Sequence, residues 1–165
     1  TPLIATYHSP CLDQTSKRVR GHNEPHTMSD DLPSSFVPGR NLLFLTIAAG
    51  HAALDGCTTL VTGVCQTDFS GYPDCRRETM DALEKALSLG IGVDFTIETP
   101  LMHLTKAETF KMAKDLGCLD VIIEHTLTDY NGDMTLNEWG RGKLDNPASV
   151  LRAKGWEEAK DRGWV

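Results

Sequence analysis

The chain has 165 residues, 40% hydrophobic and 24% charged, with a formal net charge of -7. That length suits one domain with an ordinary core, and the composition excludes a disordered chain. The acidic balance argues against a general nucleic-acid binder, and no apolar run reaches the ~20 residues needed to cross a membrane. The five cysteines are scattered and odd in number, at positions 11, 57, 65, 75 and 118, without CxxC spacing. They read as reduced thiols of a cytoplasmic protein. No signal-peptide pattern opens the chain, and the first residue is not Met, which fits a processed or truncated product.

Residues 1–35 read as an irregular arm, with a basic cluster at Lys17, Arg18 and Arg20 and a short strand at Leu3 to Tyr7. From Arg40 the residues Leu42, Leu43, Leu45, Ile47, Ala49 and Ala52 are apolar nearly all round, which predicts a buried helix stopped by Gly56. Thr58 to Cys65 is β-branched and apolar and predicts a buried strand. An amphipathic helix is expected over Arg76 to Leu89, with Gly90 behind it, and a second strand over Val93 to Thr99. Thr105 to Leu116 predicts a third helix, ended by Gly117. Leu119 to Glu124 is a short apolar segment of open type. Residues 128–145 look irregular, and Pro147 to Lys154 and Trp156 to Arg162 predict a closing helical pair. Helix alternating with buried strand implies an α/β fold with a doubly wound, mainly parallel sheet. The expected division is an arm at 1–35, an α/β body at 36–125 and a C-terminal region at 126–165.

Three constellations carry chemistry. The first is Phe36-Val-Pro-Gly-Arg-Asn41, a turn that places Arg40 and Asn41 in the first turn of a helix. Such a start can receive an anion, with Arg40 adding a fork of donors; the alternative is that Arg40 only pairs with a carboxylate. The second is the loop Gln66 to Arg76, which follows a predicted strand and is longer than a connector requires. There Asp68 and Asp74 could accept from ring or amino N–H groups, Phe69 or Tyr72 could stack on a planar ring, and Arg76 could hold a carboxylate or phosphate. A loop merely tied by an Asp–Arg pair is the plain alternative. The third is Thr105-Lys-Ala-Glu108, a capping-box pattern whose Lys106 puts a cation at a helix start, as a bound anion would favour. No Gly-rich phosphate loop occurs, no Ser-Gly-Gly run, and no Cys or His cluster with zinc spacing. His103 and His125 stand alone and read as structural.

The stretches FVPGRN at 36–41, TGVCQTDFSGYPDCR at 62–76, ETPLMHLTKAET at 98–109, HTLTDYNG at 125–132 and LRAKG at 151–155 resemble the 7-cyano-7-deazaguanine synthase family of PP-loop enzymes. The resemblance implies a Rossmann-like fold and conversion of 7-carboxy-7-deazaguanine to its nitrile with ATP, Mg2+ and ammonia. It implies that Asp68, Phe69, Tyr72, Asp74 and Arg76 shape the base pocket. Arg40, Asn41 and Lys106 would face ATP, with Arg40 and Lys106 catalytic. It implies a homodimer, or a complementary chain that supplies the phosphate loop. Two departures accompany it. The family's Ser-Gly-Gly phosphate loop has no counterpart in the sequence. The family's four zinc cysteines fall at Asp129, Arg141, Leu144 and Ser149, none a thiol, so zinc is expected to be absent, with packing by Trp139, Leu144 and Trp156 or a partner compensating. Gln66 stands where the family carries an acid. The expectation is a synthase-like protein whose activity is lost or needs a partner. The alternative is an inactive paralogue or fragment that binds a deazaguanine or a protein partner.

Overall fold

The computed structural model describes residues 25–26, 29–33, 36–66 and 72–165. The strand expected at Leu3 to Tyr7 and the basic cluster lie outside the described residues. The chain forms two compact units, Thr1–His103 and Leu104–Val165.

In the first unit a short antiparallel ribbon joins β1 (Pro25–His26) to β2 (Ser29–Pro33). Helix α1 (Arg40–Leu54) follows the Pro-Gly turn, with Gly39 at φ 67°, a left-handed conformation that favours glycine. Strand β3 (Thr59–Val61) pairs in parallel with β4 (Thr96–Glu98), Leu60 opposite Ile97. Between them run a 3₁₀ turn (Pro73–Cys75) and helix α2 (Arg77–Ile91). Leu60 and Ile97 pack with Leu45 and Ala49 of α1 and Met80 and Leu87 of α2, and Val64, Phe95 and Met102 complete this core. Each such large side chain contributes roughly 1.5–3 kcal/mol when fully buried.

The α/β class is as expected, but the described parallel sheet is a single pair of strands. Its strands bury only their central residues, while Thr59, Val61, Thr96 and Glu98 are exposed, so one face is covered. The all-round apolar pattern of α1 likewise overstates its burial. Leu45 and Ala49 are buried, whereas Phe44, Ile47 and Leu54 are exposed, because β3 and α2 pack on one side of the helix. Helix α2 runs through Gly90 and stops at Gly92, whose φ of 81° suits glycine and whose N–H bonds to the Ser88 carbonyl.

The second unit is mostly helical. In α3 (Lys106–Asp115) the expected capping box is formed: Thr105 Oγ1 accepts from the Glu108 N–H at 3.2 Å, and Glu108 accepts from the Thr105 N–H at 2.7 Å. The open segment is helix α4 (Leu119–His125). Within 128–145 a small hairpin pairs β5 (Leu136–Asn137) with β6 (Gly140–Arg141). The expected closing pair is instead one helix, α5 (Pro147–Asp161). Gly155 does not break it; it lets α5 lie against α3, since a Cβ there would stand 2.4 Å from the Lys106 Cβ. Ala107, Phe110, Trp139, Trp156 and Ala159 form the core, with Phe110 edge-on to Trp156 at 5.2 Å. Trp139 and Trp156 are buried as expected, but Leu144 is 62% exposed and does not join them.

Arg152 of α5 ties these parts together. It is buried, and its guanidinium donates to the carbonyls of Trp139 at 2.8 Å, Ile122 at 2.7 Å and Thr126 at 3.4 Å. The cation thus closes the C-terminal end of α4, where carbonyls lack helical partners. Burial lowers its pKa from the ordinary arginine value.

The two helical glycines predict opposite outcomes. Gly155→Ala should lower the Tm, because overpacking costs roughly 1–3 kcal/mol and exceeds the ~1 kcal/mol propensity gain. Gly90→Ala meets nothing within 4 Å and should raise it by a few degrees. Calorimetry of both variants checks the signs. Arg152→Lys keeps the charge but loses the planar fork, so buried carbonyls lose donors; chemical denaturation should show a loss of about 2–4 kcal/mol.

Candidate functional site

The loop after β3 is pinned at both ends by helix starts. At its first residue, Gln66 Oε1 accepts the N–H of Arg77, the first residue of α2, at 3.0 Å. Its own N–H bonds to the Met102 carbonyl at 2.9 Å. Toward its other end, Asp74 Oδ2 accepts the N–H of Asn41 at 3.0 Å, in the first turn of α1. Neither helix has a cap from its own N-cap side chain, and α1 carries no acid in its first turn, so the loop supplies both acceptors. Each such acceptor stabilises a helix start by ~0.5–2 kcal/mol.

The Phe36-to-Asn41 turn and the loop therefore form one structure. The Tyr72 ring lies 5.5 Å from that of Phe36, tilted by 40°. The Asn41 side-chain amide donates to Cys75 Sγ at 3.2 Å. Asp74 is 4% exposed, and its second oxygen, Oδ1, lies 4.0 Å from the same sulfur. Thr79 Oγ1 donates to the Pro73 carbonyl at 2.7 Å and holds the 3₁₀ turn on α2. Arg77 donates to Asp81 and, at 2.7 Å, to Thr99 Oγ1, fixing the start of α2 beside the end of β4.

Among the expected site residues, Arg40, Asn41, Tyr72, Asp74 and Arg76 belong to the first unit, with Arg40 half-buried and Arg76 exposed. Asp68 and Phe69 lie outside the described residues. Lys106 belongs to the second unit, at the first position of α3, where its stem meets Gly155. At the α1 start, one of the N–H groups that lack a helical partner, that of Asn41, already bonds to the Asp74 carboxylate.

The second unit holds a different constellation, centred on Asp129. Its Oδ2 accepts from the Lys143 N–H at 2.8 Å, Asn146 Nδ2 at 2.8 Å and Ser149 Oγ at 3.1 Å. Its Oδ1 accepts from the Asn131 N–H at 2.7 Å and the Asp133 N–H at 3.5 Å. Burial pushes the Asp129 carboxyl up, but the bonds from Lys143, Asn131, Ser149 and Asn146 outweigh it and hold it below the ordinary value. Asn146 also caps α5, its Oδ1 accepting the Ser149 N–H at 3.0 Å. The Lys143 ammonium turns outward to Asp133, whose carboxyl it and Thr135 hold down to about 2.

The four positions that the resemblance implies for zinc do not all come together. Asp129 and Ser149 do meet, but Arg141 donates to the carbonyls of Glu124 and Met134, and Leu144 is exposed. Lys143 and Asn146, rather than Arg141 and Leu144, sit beside Asp129 and Ser149. The regular spacing 143, 146, 149 is the sequence signal that would have found them. The donors present do not fit zinc. They are one carboxylate with both oxygens occupied, an amide that aims its NH2 inward, a hydroxyl and an ammonium paired elsewhere.

The chain matches curated relatives in one family. It is 54% identical over 131 residues to the 7-cyano-7-deazaguanine synthase of Caulobacter sp. (strain K31), covering 77% of this chain and 52% of that protein. It is 56% identical over 130 residues to the enzyme of the same name from Polaromonas sp. (strain JS666), covering 76% and 55%. With the Wolinella succinogenes synthase it shares 47% identity over 148 residues, covering 89% and 63%. The chain thus spans a little over half the length of these relatives. A family match to queuosine biosynthesis protein QueC covers residues 3–160, which together with these identities places the chain in the QueC family.

Proposed function

We propose that this chain carries the substrate-loop portion of a cytoplasmic 7-cyano-7-deazaguanine synthase, within a doubly wound PP-loop fold. In the reaction, 7-carboxy-7-deazaguanine is activated by ATP, aminated and dehydrated to its nitrile. The observation that carries this reading is the loop pinned at both ends, Gln66 on α2 and Asp74 on α1, beyond the carboxyl end of β3. Open α/β sheets bind ligands in that position. Asp68 and Asp74 would take the amino edge of the base, Phe69 or Tyr72 would stack on it, and Arg76 would hold its carboxylate. Arg40, Asn41 and Lys106 would face the phosphates of ATP, with Arg40 and Lys106 stabilising the developing charge. ATP would enter with Mg2+, and a second copy or a complementary chain would supply the Gly-rich loop.

A second reading, base binding without turnover, is favoured by one observation. Asp74 occupies the α1 start that a phosphate would otherwise use.

Mass spectrometry of the carboxy-deazaguanine with ATP and ammonium decides between them. The chain alone should give no nitrile, and the chain mixed with a fragment of the Caulobacter relative that carries the phosphate loop should form it. Failure of the mixture, with calorimetric binding of the base intact, selects the second reading. Arg76→Ala should weaken that binding at least about tenfold, as loss of a charge-assisted contact does, without moving the Tm. Unchanged affinity removes Arg76 from the pocket.

A further inference from the structure

The Asp129 constellation gathers hydrogen-bond donors around one buried carboxylate. Three residues, Lys143, Asn146 and Ser149, converge on one oxygen of the Asp129 carboxylate from the loop before α5 and from its first turn. Asp129, Asn146 and Ser149 are buried, with Ser149 at 0% exposure. Gly142 lies so close that a Cβ there would stand 2.8 Å from Ser149 Oγ and 2.9 Å from Asp129 Oδ2. The backbone is thus drawn onto the oxygen as it would be onto an ion, and the polarity is inverted. A cation gathers acceptors, whereas here an anion gathers five donors.

We propose that the Asp129 carboxylate replaces the family's metal ion, making this region of the chain metal-independent while retaining the four-position geometry of a metal cage. The donor set carries the argument. Both carboxylate oxygens are engaged, and Asn146 is oriented by its second bond, to the Ser149 N–H, so that its NH2 faces Asp129. The Lys143 side chain is held outward by Asp133, which leaves its backbone N–H as the inward group. A metal on Asp129 Oδ2 would have to displace the donors Lys143, Asn146 and Ser149.

The full chain provides the test, read by thermal melting, metal analysis and cobalt(II) absorption. The purified parent should contain no stoichiometric zinc, keep its Tm under a strong chelator and give no thiolate-to-cobalt charge-transfer band. Asp129→Asn, which puts an NH2 among donors, should lower the Tm by about 5–10 °C, a shift expected when a buried hub is lost. The fourfold variant Asp129→Cys, Lys143→Cys, Asn146→Cys, Ser149→Cys should take up one cobalt with tetrahedral d–d bands and acquire a chelator-sensitive Tm. A parent that carries zinc or melts earlier with chelator overturns the proposal. So does an unchanged Tm in Asp129→Asn. A folded fourfold variant that binds no cobalt overturns the cage geometry. If that variant does not fold, the parent and Asp129→Asn measurements still decide the replacement.

Discussion

Helix starts carry backbone N–H groups with no helical partner, and the need to satisfy them organises both units of this chain. Helix α1 borrows its acceptor from Asp74, 33 positions away in sequence, and α2 borrows Gln66. Helix α3 uses its own capping box, and α5 uses Asn146, which in turn faces Asp129. In the first unit this demand holds the ends of the loop after β3 against the helices. In the second it recruits the residues that close the loop from 129 to 149. A single physical requirement therefore positions the two regions with the most distinctive chemistry.

The same requirement sets a tension at the candidate site. An acid that caps a helix start neutralises the partial positive charge that would attract a phosphate. In the first unit the anion at the α1 start comes from the protein itself. Arg40, half-buried beside it, is then the cation nearest in sequence to that start. The matched segment covers 52% to 63% of the length of the relatives compared.

Much of the fold was legible because it rests on local rules. The capping box at Thr105 and the helix it opens depend on residues three apart, and the parallel strands on short β-branched runs. What failed was tertiary. The apolar pattern of α1 could not reveal that, among the described residues, its partners lie on one side, leaving Phe44 and Ile47 exposed. Gly90 was expected behind α2, and Gly155 falls between the two expected closing helices, yet one sits inside α2 and the other is a contact surface for α3. At the candidate site the loop was recognisable from its residue types, while its pinning by Gln66 and Asp74 required knowing that α1 lies alongside it. Asp129 was noted for the thiol it lacks. That it gathers donors followed only once Lys143, Asn146 and Ser149 were seen around it. Nothing local around Arg152 announces its three carbonyls, two at the end of α4 and one at Trp139.

The outer edge of β4 gives the sheet a direction of growth. The N–H groups of Thr96 and Thr62 and their carbonyl partners at Thr58 and Glu98 knit β4 to β3. The Ile97 N–H points the other way, and Glu84 of α2 takes it at 2.6 Å. A carboxylate at that site blocks an incoming strand twice, by filling the donor and by its charge. Any further strand joining this ladder must therefore add beside β3, on the side away from β4. Glu84 makes an otherwise symmetric two-stranded ribbon one-sided, and so dictates where the rest of a larger sheet would have to be.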